Sequence, residues 1–380
     1  HCISSAASDV YKRQEWGNMH WGHAVSRDMI TWEHRPMALE PDEYGTVFSG
    51  CAWRDSENTA GFGKNALLFF YTASGGCNQW SVDAGNPHTQ RLAVSLDGGG
   101  TLEKRGMILG HIKGDNRDPK VFYHKESAAY IMTLFLDGNE FAIFRSQDLL
   151  HWTKSQRLIA ENMQECPDLF LLEVDNAPCE KKWVFWSADG YYMVGEFDGY
   201  KFTPETEVLA AYSTNLGYAA QTFAGMENRT VSVAWLRTKS DRGNFRGMMS
   251  IPTELSLVKQ GNSWKMCFRP VRELWRRFSE GREFTAENGK VAVPMGGRPV
   301  VAVINWKPGE AHTVKVGTAE IDAGEPAQPL TLIADHGIVE YFGDGGTVYG
   351  AVEVGENVLD RDIAVNSGAE SVRVFEMLDA

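Results

Sequence analysis

The chain has no long hydrophobic run. Its densest apolar stretch, "ALLFFY" at 66–71, is far too short to cross a bilayer as a helix. It has no basic stripe either: lysines and arginines are scattered, and the formal net charge is −13. An acidic chain gains nothing from displacing counterions off phosphates, so neither nucleic acid nor a membrane is expected as a partner. Six cysteines are spread over 380 residues without one Cys-x-x-Cys pair, which argues against a zinc site and a thioredoxin-like motif. A chain able to bury a real core rarely depends on disulfides, so the thiols read as free and mostly buried. Helical periodicity is scarce. The best helix candidate is "FRPVRELWRRFSE" (268–280), where Val271, Leu274, Trp275 and Phe278 recur at helical spacing.

What is present is strand. Short runs rich in Val, Ile, Phe, Tyr and Trp ("RLAVSLD", "AYIMTLFL", "FAIFRS", "KWVFWSA", "TVSVAWL") alternate with Gly, Asn, Asp and Pro. A repeat runs through them. "SRDMITW" (26–32), "SLDGGGTL" (95–102) and "SQDLLHW" (146–152) share Ser-x-Asp before a bulky residue, and "FDGYKF" (197–202) is a looser copy. Such a period in an all-β chain marks propeller blades, which stack because no blade buries both faces alone. A further blade is expected around "MMSIPTELSLV" (248–258). With 43% hydrophobic and 23% charged residues, and a length beyond one growing core, two domains are natural. The sequence thus predicts an all-β fold: a propeller at 15–265, a connector at 266–280 and a β-sandwich at 281–380. The first residues, "HCISSAASDVYKRQ" (1–14), show no amphipathic period and read as a non-native leader. The first blade would then be incomplete, with an open edge.

Two acids are placed stiffly. Asp118 lies between Arg117 and Pro119, and Glu165 precedes Cys166 and Pro167 at the mouth of an apolar segment. Proline forces extended geometry on the residue before it. Arg117 would favour the ionised form of Asp118, while burial near "LFLL" would keep Glu165 protonated. Acids whose environments differ in this way suit the cleavage of a glycosidic bond, with Glu165 as proton donor and Asp118 as an ionised orienting group. The twelve Trp, twelve Tyr and nineteen Phe would also suit sugar rings. Most must be core, however, including Trp21, Trp32, Trp152 and Trp186.

The blocks "WGNMHWGHAVSRDMITWEHRPMALEPD", "VFSG", "RDPKVF", "ECPDLF" and "YAAQTF" occur in an order and spacing that resembles glycoside hydrolase family 32, the β-fructofuranosidases. "MSIPTELSL", "PVREL" and "IADHGIVEYFGDGG" continue the resemblance. It implies a five-bladed propeller with an appended sandwich and retaining release of terminal fructosyl units from sucrose or fructans; separately, no cofactor or metal is expected. By motif, Glu165 resembles the acid/base and Asp118 the carboxylate that orients fructose hydroxyls, assisted by Arg117. Trp16, Phe48 and Ser49 resemble the wall and floor of the fructose subsite, with Tyr218 and Trp235 as further binding residues. The family's nucleophile lies in an Asn-Asp-Pro-Asn block, and this sequence has none upstream of "WGN". The chain as written is therefore expected to be inactive.

Other readings differ in testable ways. An inverting propeller glycosidase acting on arabinan or xylan would release the opposite anomer, and a fructan-binding module would bind without turnover. A sialidase reading of the Ser-x-Asp turns fails on their inconsistent Gly and Trp. His20 and His23 lack a third metal ligand. A cytoplasmic location is favoured over secretion, and the sequence leaves oligomeric state and sucrose, levan or inulin preference open.

Overall fold

In the computed structural model of the chain, the described residues are 2–3, 6–7, 18–177, 179–226, 228–239, 247–307, 313–317, 319–321, 328–355 and 362–378. Most of the leader and Trp16 lie outside them. Among these residues, five antiparallel sheets follow one another in chain order before two more form a sandwich. The second sheet is a simple meander of Thr46–Asp55, Ala66–Ser74, Thr89–Ser95 and Glu103–Leu109. The third runs Arg117–His124, Ala129–Asp137, Glu140–Ser146 and Thr153–Ile159. The fourth starts at Asp168–Glu173 and the fifth at Gly217–Thr222.

The middle strands are apolar almost throughout because each blade is covered on both faces. In Ala66–Ser74, Leu68 and Phe70 join a core shared with the third sheet, while Phe69, Tyr71 and Ala73 join one shared with the first. Ile131 and Phe135 likewise face the fourth sheet, and Met132 and Leu134 face the second. Each fully buried Leu or Phe stabilises by about 1.5–3 kcal/mol relative to exposure. The ring closes where Met29, Ile30 and Trp32 of the first sheet pack on Val231 of the fifth.

The Ser-x-Asp repeat has a physical basis. In two copies the Ser hydroxyl accepts the N–H three residues on: Ser26 from Met29 at 2.7 Å, and Ser146 from Leu149 at 2.8 Å. The Asp carboxylate accepts the next amides, Asp28 from Thr31 at 2.7 Å and Asp148 from His151 at 2.8 Å. The following Trp closes the turn by donating to the Met29 or Leu149 carbonyl. These are local side-chain turns that end one strand and start the next. The wider gap between the first two copies is filled by the loop carrying the short helix Gln79–Ala84.

Two expectations need correction. The helix expected at 268–280 is strand as far as Pro270, because Ser263–Pro270 pairs along its whole length with Thr253–Gln260. Only a 3-10 turn, Leu274–Arg277, remains, so the fifth sheet extends beyond the boundary placed at 265. The edge of His20–Ser26 expected to be open is paired with the backbone of Cys2–Ile3 and Ala6–Ala7. The described cysteines are free and mostly buried, as expected: Cys51, Cys166 and Cys267 are buried, and Cys77 and Cys179 are exposed.

The sandwich sets a six-stranded sheet against a four-stranded one over a core that includes Val300, Ile304, Val314, Leu332 and Val372. A second cluster continues from the fourth and fifth blades into the sandwich through Phe268, Val301, Ile333, Phe342 and Tyr349.

Candidate active site

The first strands of the second to fifth sheets are edge strands, and polar groups stitch them to one another. Cys51 Sγ accepts the Val121 N–H at 3.1 Å, and the Asp118 N–H donates to the Thr72 hydroxyl at 3.0 Å. Lys120 and Asp168, 5% and 1% exposed, form a salt bridge at 3.0 Å. Thr222 of the fifth sheet gives Asp168 Oδ2 both its N–H and its hydroxyl, at 3.0 and 2.8 Å, while Lys120 donates to the Thr222 carbonyl at 2.6 Å. This hub ties three blades at their inner edge. Its lone pairs and protons are largely satisfied, as a buried ion pair requires.

Just beyond the hub the two acids meet through one cation. Arg117 Nη2 donates to Glu165 Oε1 at 2.7 Å, and its Nε lies 3.8 Å from Asp118 Oδ2. The guanidinium is fixed by the Asp115 carbonyl at 2.7 Å and by the Phe135 ring, 4.6 Å from its centroid. Asp118 Oδ2 accepts the Cys166 N–H at 3.0 Å, so the residue after one acid holds the other. Tyr218 donates its hydroxyl hydrogen to Glu165 Oε2. Burial, together with that bond to a carboxylate, pushes the Tyr218 phenol well up, so it stays a donor.

Backbone conformation departs from expectation. Asp118 has φ 64°, Glu165 φ 52° and Cys166 φ 42°. Both residues before a proline are thus left-handed where extended geometry was expected. Such conformations cost L-residues on the order of 1–3 kcal/mol each and persist only where surroundings overrule them. Here the overruling bond is Cys166 N–H to Asp118, made between blades. Ala219, beside Tyr218, shares the feature at φ 50°.

The electrostatic ranking also differs. Asp118 is the deeply buried acid, 6% exposed, and burial raises its carboxyl above the ordinary value despite the Arg117 charge and the Cys166 N–H. Glu165 is the more open one, with its side chain 30% exposed. The expected order of burial is therefore reversed: nearness of Glu165 to "LFLL" along the chain does not bury its side chain.

The remaining candidates divide. Tyr218 and Trp235 pack edge to face at 6.3 Å, and the Arg237 guanidinium stacks 4.4 Å over Tyr218. Phe48 and Ser49 sit at a register shift between Val47 and Gly50, a bulge in the strand that also carries Cys51. Gly50 is obligatory there, since a Cβ would meet the Phe70 carbonyl oxygen at 1.9 Å. Phe48 lies edge-on to His88 at 6.3 Å. Sequence reasoning missed Lys120, Thr72 and the structural duty of Asp168. Lys120 was findable, because alternation along Arg117–His124 puts it on the face of Asp118. Among the described residues no cluster of three or more His, Cys, Asp or Glu is arranged to hold a metal ion. A cleft of about 540 Å³ on the sandwich, lined by Glu283, Thr285, Asn305, Trp306, Glu370 and Ser371 among others, contains none of these groups.

The architecture is that of a β-propeller joined to a β-sandwich, with an arginine-bridged carboxylate pair at the inner edge of the blades. The model for the glycosyl hydrolases family 32 N-terminal domain matches residues 10–270, and the chain belongs to that family. That match includes the last residues of the segment read as a leader. A levanase of Bacillus subtilis (strain 168) is 36% identical over 292 residues, 68% of this chain and 42% of the relative. The extracellular exo-inulinase inuE of Aspergillus niger (strain ATCC MYA-4892 / CBS 513.88 / FGSC A1513) is 30% identical over 319 residues, 70% of this chain and 59% of the relative. The chain thus spans about half the length of these curated relatives. In fold, it is similar to the crystal structure of exo-inulinase from Aspergillus awamori, with a TM-score of 0.80 at 22% identity, covering 96% of this chain and 91% of that one.

Proposed function

We propose that the chain forms the acid-bearing part of a retaining β-fructosidase that releases terminal fructosyl units from sucrose or fructans. The observation that carries this is the Arg117 bridge between a half-buried and a buried carboxylate, and the sugar hollow is assigned to the space beside that bridge. A proton donor must reach the leaving oxygen and later a water, which suits the more open Glu165. Tyr218 and Arg117 hold both its oxygens, fixing its direction. The buried Asp118 suits sugar hydroxyls, each of which would donate to it and favour its charge where burial opposes it. Trp235 and Phe48 supply apolar walls for the ring. The named activities of the relatives, levanase and exo-inulinase, support the substrate class.

Retention needs a second carboxylate on the opposite face of the sugar. The 380-residue sequence has no Asn-Asp-Pro-Asn block, so this polypeptide alone is expected to bind fructosides without turning them over. Adding such a strand ahead of Glu15 should yield fructose from sucrose or levan as the β-anomer first, read by proton magnetic resonance. The α-anomer first would overturn retention. Turnover by the unextended chain at the extended chain's rate would overturn the need for that block.

A further inference from the structure

The seam between propeller and sandwich carries an acid that the sugar chemistry leaves unused. Glu340 lies on the sandwich strand Ile338–Gly343 and is 4% exposed. Its Oε1 accepts the Ile251 N–H of the propeller at 2.8 Å, and its Oε2 accepts the Tyr349 hydroxyl at 2.7 Å. Both partners are uncharged. Burial pushes the Glu340 carboxyl up to about 7.

The segments it holds lead to the sugar hollow. Ile251 follows Ser250, whose N–H donates to the Ala234 carbonyl at 2.8 Å and whose hydroxyl accepts the Ala234 N–H at 2.9 Å. Met249 pairs with Trp235 itself. Across the seam, the Tyr349 carbonyl accepts the Ser213 N–H at 2.8 Å. The Thr214 hydroxyl donates to the Ala351 carbonyl at 2.9 Å and accepts its N–H at 3.1 Å. Ser213 and Thr214 lead into Gly217–Thr222, where Tyr218 donates to Glu165. One carboxylate therefore reaches both Trp235 and Tyr218 by short hydrogen-bonded paths.

We infer that Glu340 is a positioning residue through which the sandwich fixes Trp235 and Tyr218, and that its ionisation loosens the sugar hollow at alkaline pH. The inference rests on the fructoside reading only for the identity of the sugar. Burial disfavours a charge on Glu340, and the two donors that favour one, the Ile251 N–H and the Tyr349 hydroxyl, offset it only in part. Tyr349 and Tyr212 are themselves pushed up by burial, Asp335 is negative, and the Ser250 hydroxyl is committed to Ala234 and Tyr349. The folded value lies above the ordinary 4.5. The brace is thus complete below that ordinary value and is lost as pH rises through about 7.

The test compares the chain with Glu340→Gln, which keeps an acceptor for Ile251 and cannot ionise. Backbone hydrogen exchange is followed in 213–222 and 230–236, with 117–124 as reference. Between pH 6 and 8.5, exchange in the first two segments should rise about tenfold beyond the intrinsic rate, the size that proton linkage gives for a carboxyl raised from 4.5 to about 7. Affinity for a fructo-oligosaccharide such as 1-kestose should fall in parallel. Glu340→Gln should show neither change and keep the pH 6 affinity. The same rise in the variant, or an effect of Glu340→Ala confined to 338–353, would overturn the inference. If no form binds any fructoside, the sugar reading fails, while the exchange result still decides the brace.

Discussion

The turn Ser146–Trp152 and the loop 160–167 lie at opposite ends of one strand, Thr153–Ile159, and are built on opposite principles. The turn satisfies itself: Ser146, Asp148 and Trp152 bond to amides and carbonyls within the same seven residues. The loop is held from elsewhere. Its Cys166 N–H goes to Asp118 in the previous blade, and its carbonyl accepts from Gln221 in the next at 3.3 Å. Both contain a non-glycine left-handed residue, Leu149 at φ 68° and Glu165 at φ 52°. In the turn that conformation comes with local bonds. In the loop it depends on neighbouring blades, which is how a structure fixes an acid it cannot position from within.

The contrast can be broken at its functional side first. In the chain extended with a nucleophile strand, Glu165→Gln should lower turnover by about 10²–10⁴-fold. The loss should shrink on a substrate with an activated leaving group, and equal losses would make Glu165 structural. Stability comes next. Asp168→Ala leaves Lys120 buried and uncompensated, an expected loss of about 3–5 kcal/mol by chemical denaturation. Asp148→Ala removes only local turn bonds and should cost about 1–2 kcal/mol. Comparable losses at both sites would erase the distinction.

The smallest effect is one of sign. The Ser95 hydroxyl and the Thr101 N–H hold the Asp97 carboxyl down to about 2. Its contribution is therefore present above the ordinary value of 3.8 and is lost as pH falls toward 2. Asp118 is raised, so its contribution runs the other way and is lost as pH rises. Asp97→Asn should flatten the acid limb of stability, and Asp118→Asn should steepen it.

These two regions also mark what could be read in advance. The Ser-x-Asp turns, the strand runs and the blades they predict are local chemistry, and Ser26, Asp28 and Trp32 behave as their order suggests. Glu165, Asp118, Arg117 and Tyr218 were singled out by pattern, and all four converge. The depth of each acid was not legible, because it depends on Thr72, Cys166 and Gln221, each supplied by another part of the ring. The same reason undid the helix at 268–280. Its apolar spacing is real, since Val271, Leu274 and Phe278 are buried, but pairing with Thr253–Gln260 holds 268–270 as strand and leaves a segment too short for a stable helix.

The central claim is that Asp118 and Glu165 share one fructose hollow, and binding tests it without any need for turnover. Titration calorimetry of 1-kestose into the 380-residue chain should give saturable heat, with no heat from an all-glucose trisaccharide. Asp118→Asn should weaken that binding by about tenfold or more, as expected when a charged acceptor for sugar hydroxyls is lost. Equal affinity in the variant, or equal heat from both sugars, would contradict the account.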